Sequence, residues 1–211
     1  MGDLMAERTL DGGVASRSSR STASPMALFF REFLRHPAMI GSIIPSSRRT
    51  IEAMLSDVRW DETRLFVEYG PGVGTFCDTI LERLSPDATL LVIDTNPVFV
   101  DFLRRRYADS RFIAVHGSAA DVQDIIATHG FESADYILSG LPFSTLPAGV
   151  GARIADQTFA ALSPGGSFLI YQYSPYVLRL LAPHFTRVDR SFEWLNIPPC
   201  HLLKARKPAE P

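Results

Sequence analysis

The feature that most constrains the fold is a glycine-rich turn between an apolar run and a segment with helical spacing. Residues 65–67 are Leu-Phe-Val, Glu68 follows, and glycines then occupy the alternate positions Gly70, Gly72 and Gly74. Glycine allows the backbone to turn sharply and to approach a ligand closely. The order strand, tight turn, helix therefore predicts the opening unit of a nucleotide-binding α/β sheet.

A second apolar run, residues 89–94, ends in the carboxylate of Asp94. Such a carboxylate accepts hydrogen bonds from ribose hydroxyls. The glycine spacing G-x-G-x-G differs from the G-x-G-x-x-G of dinucleotide enzymes, and with Glu68 before it the stretch is similar to motif I of S-adenosylmethionine-dependent methyltransferases. That resemblance implies S-adenosylmethionine as cofactor, S-adenosylhomocysteine as product and no metal.

Composition narrows the class of protein. With 211 residues, 46% of them hydrophobic and 21% charged, the chain suits one globular domain. Its net charge of -2 argues against a nucleic-acid partner. Cys77 and Cys200 form neither a metal-binding spacing nor a disulfide framework. No segment predicts a membrane span or a secretory signal, so we expect a cytoplasmic protein whose contact with the inner membrane face is peripheral.

Strands and helices alternate along most of the chain, which predicts a mainly parallel sheet. We expect a disordered leader over 1–24, N-terminal helices over 25–58 that cover the cofactor cleft and contact the membrane, a methyltransferase domain over 59–207 and a tail over 208–211. The predicted strands are 65–69, 89–94, 111–116, 135–139 and 167–173, followed by an antiparallel pair, 185–194 and 199–205, at the sheet edge. The predicted helices are 26–36, 48–55, 75–84, 97–107, 122–128, 149–162 and 174–182. Ser46-Ser47 is the predicted N-cap of the second, and Asn96-Pro97 caps and starts the fourth. With the resemblance to motif I, this pattern predicts a class I, Rossmann-like, seven-stranded methyltransferase fold.

In an open α/β sheet, ligands bind outside the carboxyl ends of the strands. The residues predicted to bind the cofactor there are Glu68, Tyr69, Gly70, Gly72, Gly74, Asp94, Thr95, Ser118, Ala119 and Ser139. Glu68 either bonds a loop amide, meets the methionyl ammonium, or is a surface carboxylate. Ser118 either borders the adenine or caps the next helix.

The sequence after the fourth strand carries the clue to the methyl acceptor. Ser139-Gly140-Leu141-Pro142-Phe143 resembles motif IV of amino-group methyltransferases. Ser139 replaces the usual Asn, and Gly140 intervenes before Leu141. Since a planar nucleobase amine is held by an Asn side-chain carbonyl, this departure favours an aliphatic amine as the acceptor.

Taken together, several stretches from about Met26 to Lys207 resemble the soluble, peripheral-membrane type of bacterial phospholipid N-methyltransferase, which is similar to rRNA adenine dimethyltransferases. They are residues 33–37, 41–47, 68–74, 141–142, 173–175 and 196–199. The resemblance implies stepwise methylation of phosphatidylethanolamine toward phosphatidylcholine. It implies catalytic roles for Tyr173, Ser139 and Leu141, and it adds Ser42, Ile43, Pro45 and Ser46 to the cofactor site.

The spacing of apolar residues over 26–36 predicts a short amphipathic helix. Its apolar face carries Phe29, Phe30 and Phe33, and its polar side carries Arg31 and Arg35. Such a helix can lie in an anionic bilayer surface, or it can pack over the cofactor cleft.

Three further residues complete the predicted substrate and membrane set: Arg48, Phe143 and Tyr173. Tyr173 either contacts the acceptor nitrogen and favours its methylammonium states by cation–π attraction or packs structurally. Tyr69, Tyr171 and His201 are weaker candidates for the same contact, and Arg49 joins Arg48 as a candidate ligand for a lipid phosphate.

Three alternatives stay open: an rRNA adenine dimethyltransferase, an ornithine-lipid N-methyltransferase, and a non-catalytic membrane-surface protein with a degenerate nucleotide fold. The intact Glu68, glycines and Asp94 disfavour the third. The mild net acidity and Ser139 disfavour the first.

Overall fold

The computed structural model describes residues 47–196 and 199–209. Several predictions therefore lie outside the described residues: the leader, the 26–36 helix and most of the 41–47 stretch. The site residues affected are Phe29, Phe30, Arg31, Phe33, Arg35, Ser42, Ile43, Pro45 and Ser46.

The described chain forms a seven-stranded sheet with the order β3-β2-β1-β4-β5-β7-β6. The strands are β1 Leu65–Tyr69, β2 Thr89–Asp94, β3 Phe112–His116, β4 Ala134–Ser139, β5 Leu162–Gln172, β6 Val188–Glu193 and β7 Cys200–Arg206. Strands β1 to β5 pair in parallel, and β7 pairs antiparallel with both β5 and β6. This arrangement confirms the predicted class I methyltransferase fold with a C-terminal antiparallel hairpin.

Helices cover both faces of the sheet. They are α1 Arg48–Leu55, α2 Cys77–Arg83, α3 Pro97–Arg106, α4 Val122–Thr128, α5 Val150–Ala161 and α6 Val177–Leu181. Helices α1 to α3 bury their apolar residues in one core, and α4 to α6 bury theirs in a second core on the opposite face. Two predicted caps are confirmed: the Ser47 side chain accepts a hydrogen bond from Thr50 N, and the Asn96 side chain accepts one from Val98 N, just before Pro97.

Burial explains why the second strand of the hairpin, and not the first, joins the parallel strands. Strand β7 buries Leu202, Leu203 and Ala205, whereas β6 has the polar sequence VDRSFE with several exposed residues. A central strand needs apolar residues on both faces, and an exposed edge tolerates polar ones.

Strand β5 differs from the prediction because it begins at Leu162, five residues earlier than expected. Pro164, Gly165 and Gly166 form an irregular part of the strand rather than a turn before it. The register to β4 shifts between Ala134 and Tyr136 at this point. Gly165 has a φ of 78°, and a Cβ on Gly166 would lie 2.9 Å from a backbone carbonyl oxygen. The glycines therefore allow a bulge that a regular strand excludes.

Helices α2 and α6 also begin later than predicted, at Cys77 and Val177. The longest helix of the described chain, α5, has 12 residues. Within 47–196 and 199–209, none of the helices has the length and apolarity needed to span a bilayer.

Candidate cofactor and acceptor site

A cleft of about 440 Å³ opens at the carboxyl ends of β1, β2, β3 and β4. Its lining includes six residues predicted for the site: Gly70, Asp94, Thr95, Ser118, Ala119 and Leu141. Ile93 and Gly117 complete the strand ends, and the apolar residues Leu146, Val150 and Ile154 close the other side. A groove with one carboxylate and otherwise mainly apolar walls fits a nucleoside.

The glycine loop has the backbone conformation that its sequence predicts. The φ angles of Gly70, Gly72 and Gly74 are 63°, 56° and 83°, in the left-handed region. A Cβ on Gly70 would lie 3.0 Å from the Leu141 side chain, and one on Gly74 would lie 2.9 Å from that of Leu103. Other residues are therefore disfavoured both by conformation and by space.

Asp94 connects the end of β2 to this loop. Its Oδ1 accepts a hydrogen bond from Asn96 N at 2.8 Å, and its Oδ2 accepts one from Gly72 N at 3.4 Å. The side chain is nearly buried, and this desolvation raises its pKa to about 6, although the two backbone donors act in the opposite direction. An ionised carboxylate has about four acceptor positions. The two backbone donors occupy two of them.

Glu68 is only 2% exposed, which rules out the alternative of a surface carboxylate. The Cys77 thiol donates to Glu68 Oε2 over 3.3 Å, which also gives this buried cysteine a partner. Desolvation raises the pKa of Glu68 to about 7; the thiol lowers it, and the negative charge of Asp94 adds to the increase. The carboxyl group therefore changes its protonation near neutral pH.

Glu68→Gln tests this pKa through the stability of the protein. The pKa of Glu68 is higher in the folded state than its ordinary value of 4.5. Its contribution to stability is thus fully present below about pH 4.5 and is lost as the pH rises through about 7. We expect Glu68→Gln to raise the free energy of unfolding by about 2–3 kcal/mol at roughly pH 8, and by less at roughly pH 5.5.

Urea unfolding at the two pH values measures this difference. Glu82→Gln on α2 is the matched control, since Glu82 is exposed and its substitution should change stability equally at both. A gain for Glu68→Gln that is the same at both pH values would contradict the assignment.

The acceptor loop turns at the buried end of β4. The Ser139 hydroxyl accepts a hydrogen bond from Leu141 N at 3.2 Å, so it is used within the loop. A Cβ on Gly140 would lie 2.6 Å from Tyr171 Cζ. The phenol of Tyr171 thus occupies the space beside Gly140, which explains the glycine that interrupts the predicted motif. Leu141 follows the turn and lines the cleft.

Of the tyrosines considered for the acceptor, Tyr173 is the most accessible. It lies just beyond β5, is half-buried and packs at the margin of the first core. Tyr171 is buried against the Phe76 ring at 4.9 Å, and burial raises the pKa of its phenol well above the ordinary value. Tyr69 is fully buried with its hydroxyl 3.1 Å from Thr158 Oγ1, so only the backbone of Tyr69 is available to a cofactor.

Four other predicted positions differ in their accessibility. Phe143 is 2% exposed and belongs to the second core, so its side chain packs inside the protein. His201 is half-buried on β7, where its ring meets Phe192 with centroids 4.8 Å apart. Arg48 is exposed at the start of α1, and Arg49 Nε lies 3.2 Å from Glu193 Oε2.

Sequence reasoning missed two polar residues at this end of the sheet. Gln172, the last residue of β5, is 3% exposed, and its Nε2 has no hydrogen-bond partner among residues 47–196 and 199–209. Asn196 Oδ1 accepts hydrogen bonds from Ser47 N at 3.2 Å and from Thr50 Oγ1 at 3.1 Å. It thereby joins the turn after β6 to the start of α1. For Gln172 the available signal was its position next to Tyr173. For Asn196 the signal was its place in the 196–199 stretch, which carries the family resemblance but does not predict the contact with α1.

Three known proteins are similar to this chain in sequence or in structure. Ornithine lipid N-methyltransferase of Singulisphaera acidiphila is 32% identical over 174 residues, which cover 82% of this chain and 91% of that protein. Ribosomal RNA small subunit methyltransferase H of Burkholderia vietnamiensis is 28% identical over 131 residues, 62% of this chain but only 36% of that enzyme. The crystal structure of the N-methyltransferase NodS from Bradyrhizobium japonicum WM9 with S-adenosylhomocysteine has a TM-score of 0.59 at 19% identity, with 85% of this chain and 88% of that chain covered. No family model matches the sequence.

The fold, the glycine loop and the carboxylate at the end of β2 define a class I S-adenosylmethionine-dependent methyltransferase. Within that class, the chain belongs to the family of the ornithine lipid N-methyltransferase from Singulisphaera acidiphila, with which it aligns over nearly the whole length of the relative.

Proposed function

We propose that this enzyme transfers methyl groups from S-adenosylmethionine to the aliphatic amine of a membrane-lipid head group. The observation that carries the proposal is the acceptor loop. The Ser139 hydroxyl is directed back to Leu141 N at 3.2 Å, and no side-chain carbonyl at that position is available to clamp a planar nucleobase amine. An aliphatic amine, which is tetrahedral when it attacks, needs no such clamp.

The cofactor half of the site consists of the glycine loop, Asp94 and the cleft. When bound, S-adenosylmethionine supplies a methyl carbon already activated by its sulfonium. Asp94 would hold the ribose hydroxyls, while Ser118, Ala119 and the apolar wall opposite them would enclose the adenine. Glu68 is buried in β1, two residues before Gly70, and accepts a hydrogen bond from the Cys77 thiol. The protein thus fixes the donor from one side.

The acceptor half has to align an unprotonated amine and exclude water. Leu141 and Tyr173 supply apolar and aromatic surface at the ends of β4 and β5. A poorly solvated site disfavours the ammonium form, which lowers the pKa of the amine in the required direction. The Tyr173 ring favours successive methylammonium products by cation–π attraction. Gln172 offers a buried Nε2 donor to a head-group oxygen.

Two lipid amines are candidates. The resemblance of the sequence to phospholipid N-methyltransferases favours phosphatidylethanolamine, with its mono- and dimethyl derivatives as intermediates. The relative from Singulisphaera acidiphila, named for ornithine lipid, favours that lipid instead. Both carry a primary aliphatic amine, so the same acceptor half serves either one. We give precedence to ornithine lipid because its support comes from an alignment over 91% of a named enzyme.

Incubation with methyl-labelled S-adenosylmethionine tests the proposal. Parallel reactions contain vesicles with ornithine lipid, vesicles with phosphatidylethanolamine, or ribosomal RNA, and chromatography then locates the label. We expect label in lipid, first in the ornithine-lipid reaction, and none in RNA. Asp94→Ala serves as the inactive control. Label in RNA and never in either lipid would overturn the proposal.

A further inference from the structure

The described surface exposes few large apolar side chains, and those few are close in sequence to the ends of two strands. Among residues 47–196 and 199–209, they are Trp194, Leu195 and Tyr176, with exposed fractions of 75%, 66% and 42%. Scattered single apolar residues on a surface are ordinary, whereas contiguous exposed apolar surface is typical of an interaction site. Trp194 and Leu195 are adjacent in the chain and the two most exposed of the three.

Strand directions place all three at the cofactor end of the sheet. Strands β5 and β6 are each antiparallel to β7, so β6 runs in the same direction as β5. Trp194 and Leu195 follow β6 directly, and Tyr176 comes shortly after β5. Both positions therefore lie at the carboxyl edge of the sheet, the same edge at which the cofactor cleft opens.

The turn at residues 194–195 is held in place by polar contacts on its inner side. Glu193 Oε1 accepts a hydrogen bond from Leu195 N at 3.0 Å. Asn196 Oδ1 accepts one from Ser47 N, which attaches the turn to α1. The Trp194 ring meets the edge of Phe192, with centroids 4.4 Å apart. The tertiary structure thus presents two large apolar side chains outward while it buries the polar residues on either side of them.

The charges beside the 194–195 turn are cationic on the outside. Arg49 pairs with Glu193 at 3.2 Å, but the arginine side chain is 69% exposed and the glutamate side chain only 10%. Arg48, which precedes it at the start of α1, is exposed as well. The acid is therefore inside and the guanidinium groups face solvent. Exposed Trp and Leu beside Arg are the composition that binds the interface of an anionic bilayer.

We propose that the 194–195 turn is a membrane-docking surface, with Trp194 and Leu195 inserted among the head groups of an anionic bilayer and Arg48 and Arg49 at the lipid phosphates. The proposal rests on the proposed function in one respect: docking at this edge would bring the cleft to the surface where a lipid amine lies. This surface consists of other residues than the 26–36 segment, for which the sequence alone suggested the same role.

The chain offers an internal control because it has two tryptophans, Trp60 and Trp194. Trp60 precedes β1, at the opposite edge of the sheet, and stacks on Phe66 at 6.0 Å. Trp60→Phe leaves Trp194 as the single fluorophore, and Trp194→Phe leaves Trp60. With vesicles of phosphatidylglycerol and phosphatidylcholine, we expect Trp194 emission to shift to the blue and to be quenched by brominated lipid. Trp60 emission should not change. If Trp60→Phe fails to fold, quenching of the tryptophan emission of the unsubstituted protein by brominated lipid gives the same readout.

A second variant, Trp194→Ala with Leu195→Ser, should weaken vesicle partitioning by about tenfold or more, because two large apolar side chains no longer enter the interface. Methylation of lipid in vesicles should fall with it, while methylation of lipid dispersed in detergent should not. Three results would overturn the proposal. Trp194 emission could stay unchanged although the protein sediments with vesicles, or it could show that the chain's own N-terminal segment already shields the ring before vesicles are added. The third result is a blue shift that depends on protein concentration and occurs without lipid. Because the fluorescence needs no turnover, docking without lipid methylation would refute the proposed function alone.

Discussion

The Asp94→Ala variant is expected to bind S-adenosylhomocysteine at least ~100-fold more weakly than the unsubstituted protein, since each hydrogen bond to a charged group contributes about 1.5–3 kcal/mol. The substitution removes the acceptors for the ribose and also the partners of Gly72 N and Asn96 N. The glycine loop and the start of α3 thus lose their common anchor. Isothermal titration calorimetry measures the affinity directly and needs no acceptor lipid.

Two controls separate the ribose contact from a general loss of structure. Asp101→Ala removes an exposed acid on α3 and should leave the affinity unchanged. Asp94→Asn keeps one oxygen acceptor, so its affinity for S-adenosylhomocysteine should lie between those of Asp94→Ala and the unsubstituted protein. The pKa of Asp94, raised by burial to about 6, adds a pH test. In the unsubstituted protein the affinity should fall as the pH drops through about 6, because the carboxylate becomes protonated. Asp94→Asn should lack that step. An Asp94→Ala variant with unchanged affinity would refute the ribose assignment.

Gly140→Ala is expected to lower the free energy of unfolding by about 1–3 kcal/mol or more, the range for overpacking a buried site. The added methyl would lie 2.6 Å from Tyr171 Cζ, and the ring has little room to move. It is buried and packs on Phe76 at 4.9 Å. The strain falls on the loop that carries Leu141, so methylation should decrease as well. Urea unfolding followed by circular dichroism measures the change in stability.

A double-mutant cycle assigns this cost to the contact with Tyr171. If the phenol is the obstacle, Tyr171→Leu combined with Gly140→Ala should be clearly less destabilising than the sum of the two single substitutions. Gly117→Ala is the matched control, because its nearest neighbour is the flexible end of Ile125 at 3.1 Å. Strict additivity in the cycle would show that the clash with Tyr171 is not the cause.

Local patterns were enough to predict most of the regular structure. The bounds of α1, β1, β2 and α4 were predicted to the residue, and most others to within about two residues. The glycine loop, the Asp94 carboxylate and the Asn96-Pro97 cap were predicted because each depends on neighbours a few residues away. Strand β5 was the largest error. A Pro-Gly-Gly sequence usually ends a strand, and only its pairing with β4 holds it in an irregular extended form.

The residues of the candidate site also divide into those that local sequence predicted and those that it did not. Gly70, Asp94, Thr95, Ser118, Ala119 and Leu141 were predicted, since the carboxyl ends of parallel strands meet at one edge. The apolar wall from Leu146 to Ile154 was not, because its residues lie in a connection and a helix whose position over the cleft has no local signal. The burial of Phe143 was missed for the same reason.

The sequence by itself determined the elements, their order and the cofactor class, because backbone preferences and apolar periodicity act over short stretches of chain. Only the tertiary structure decided which distant groups meet. Ser47 and Asn196 are 149 residues apart in the chain, yet they share a hydrogen bond that joins α1 to the 194–195 turn. The long-range packing of β4 against β5 likewise fixes Tyr171 beside Gly140, and the burial of Glu68 under α2 sets its pKa. Such contacts depend on the packing of whole elements, where desolvation and excluded volume, rather than local preference, set the energy.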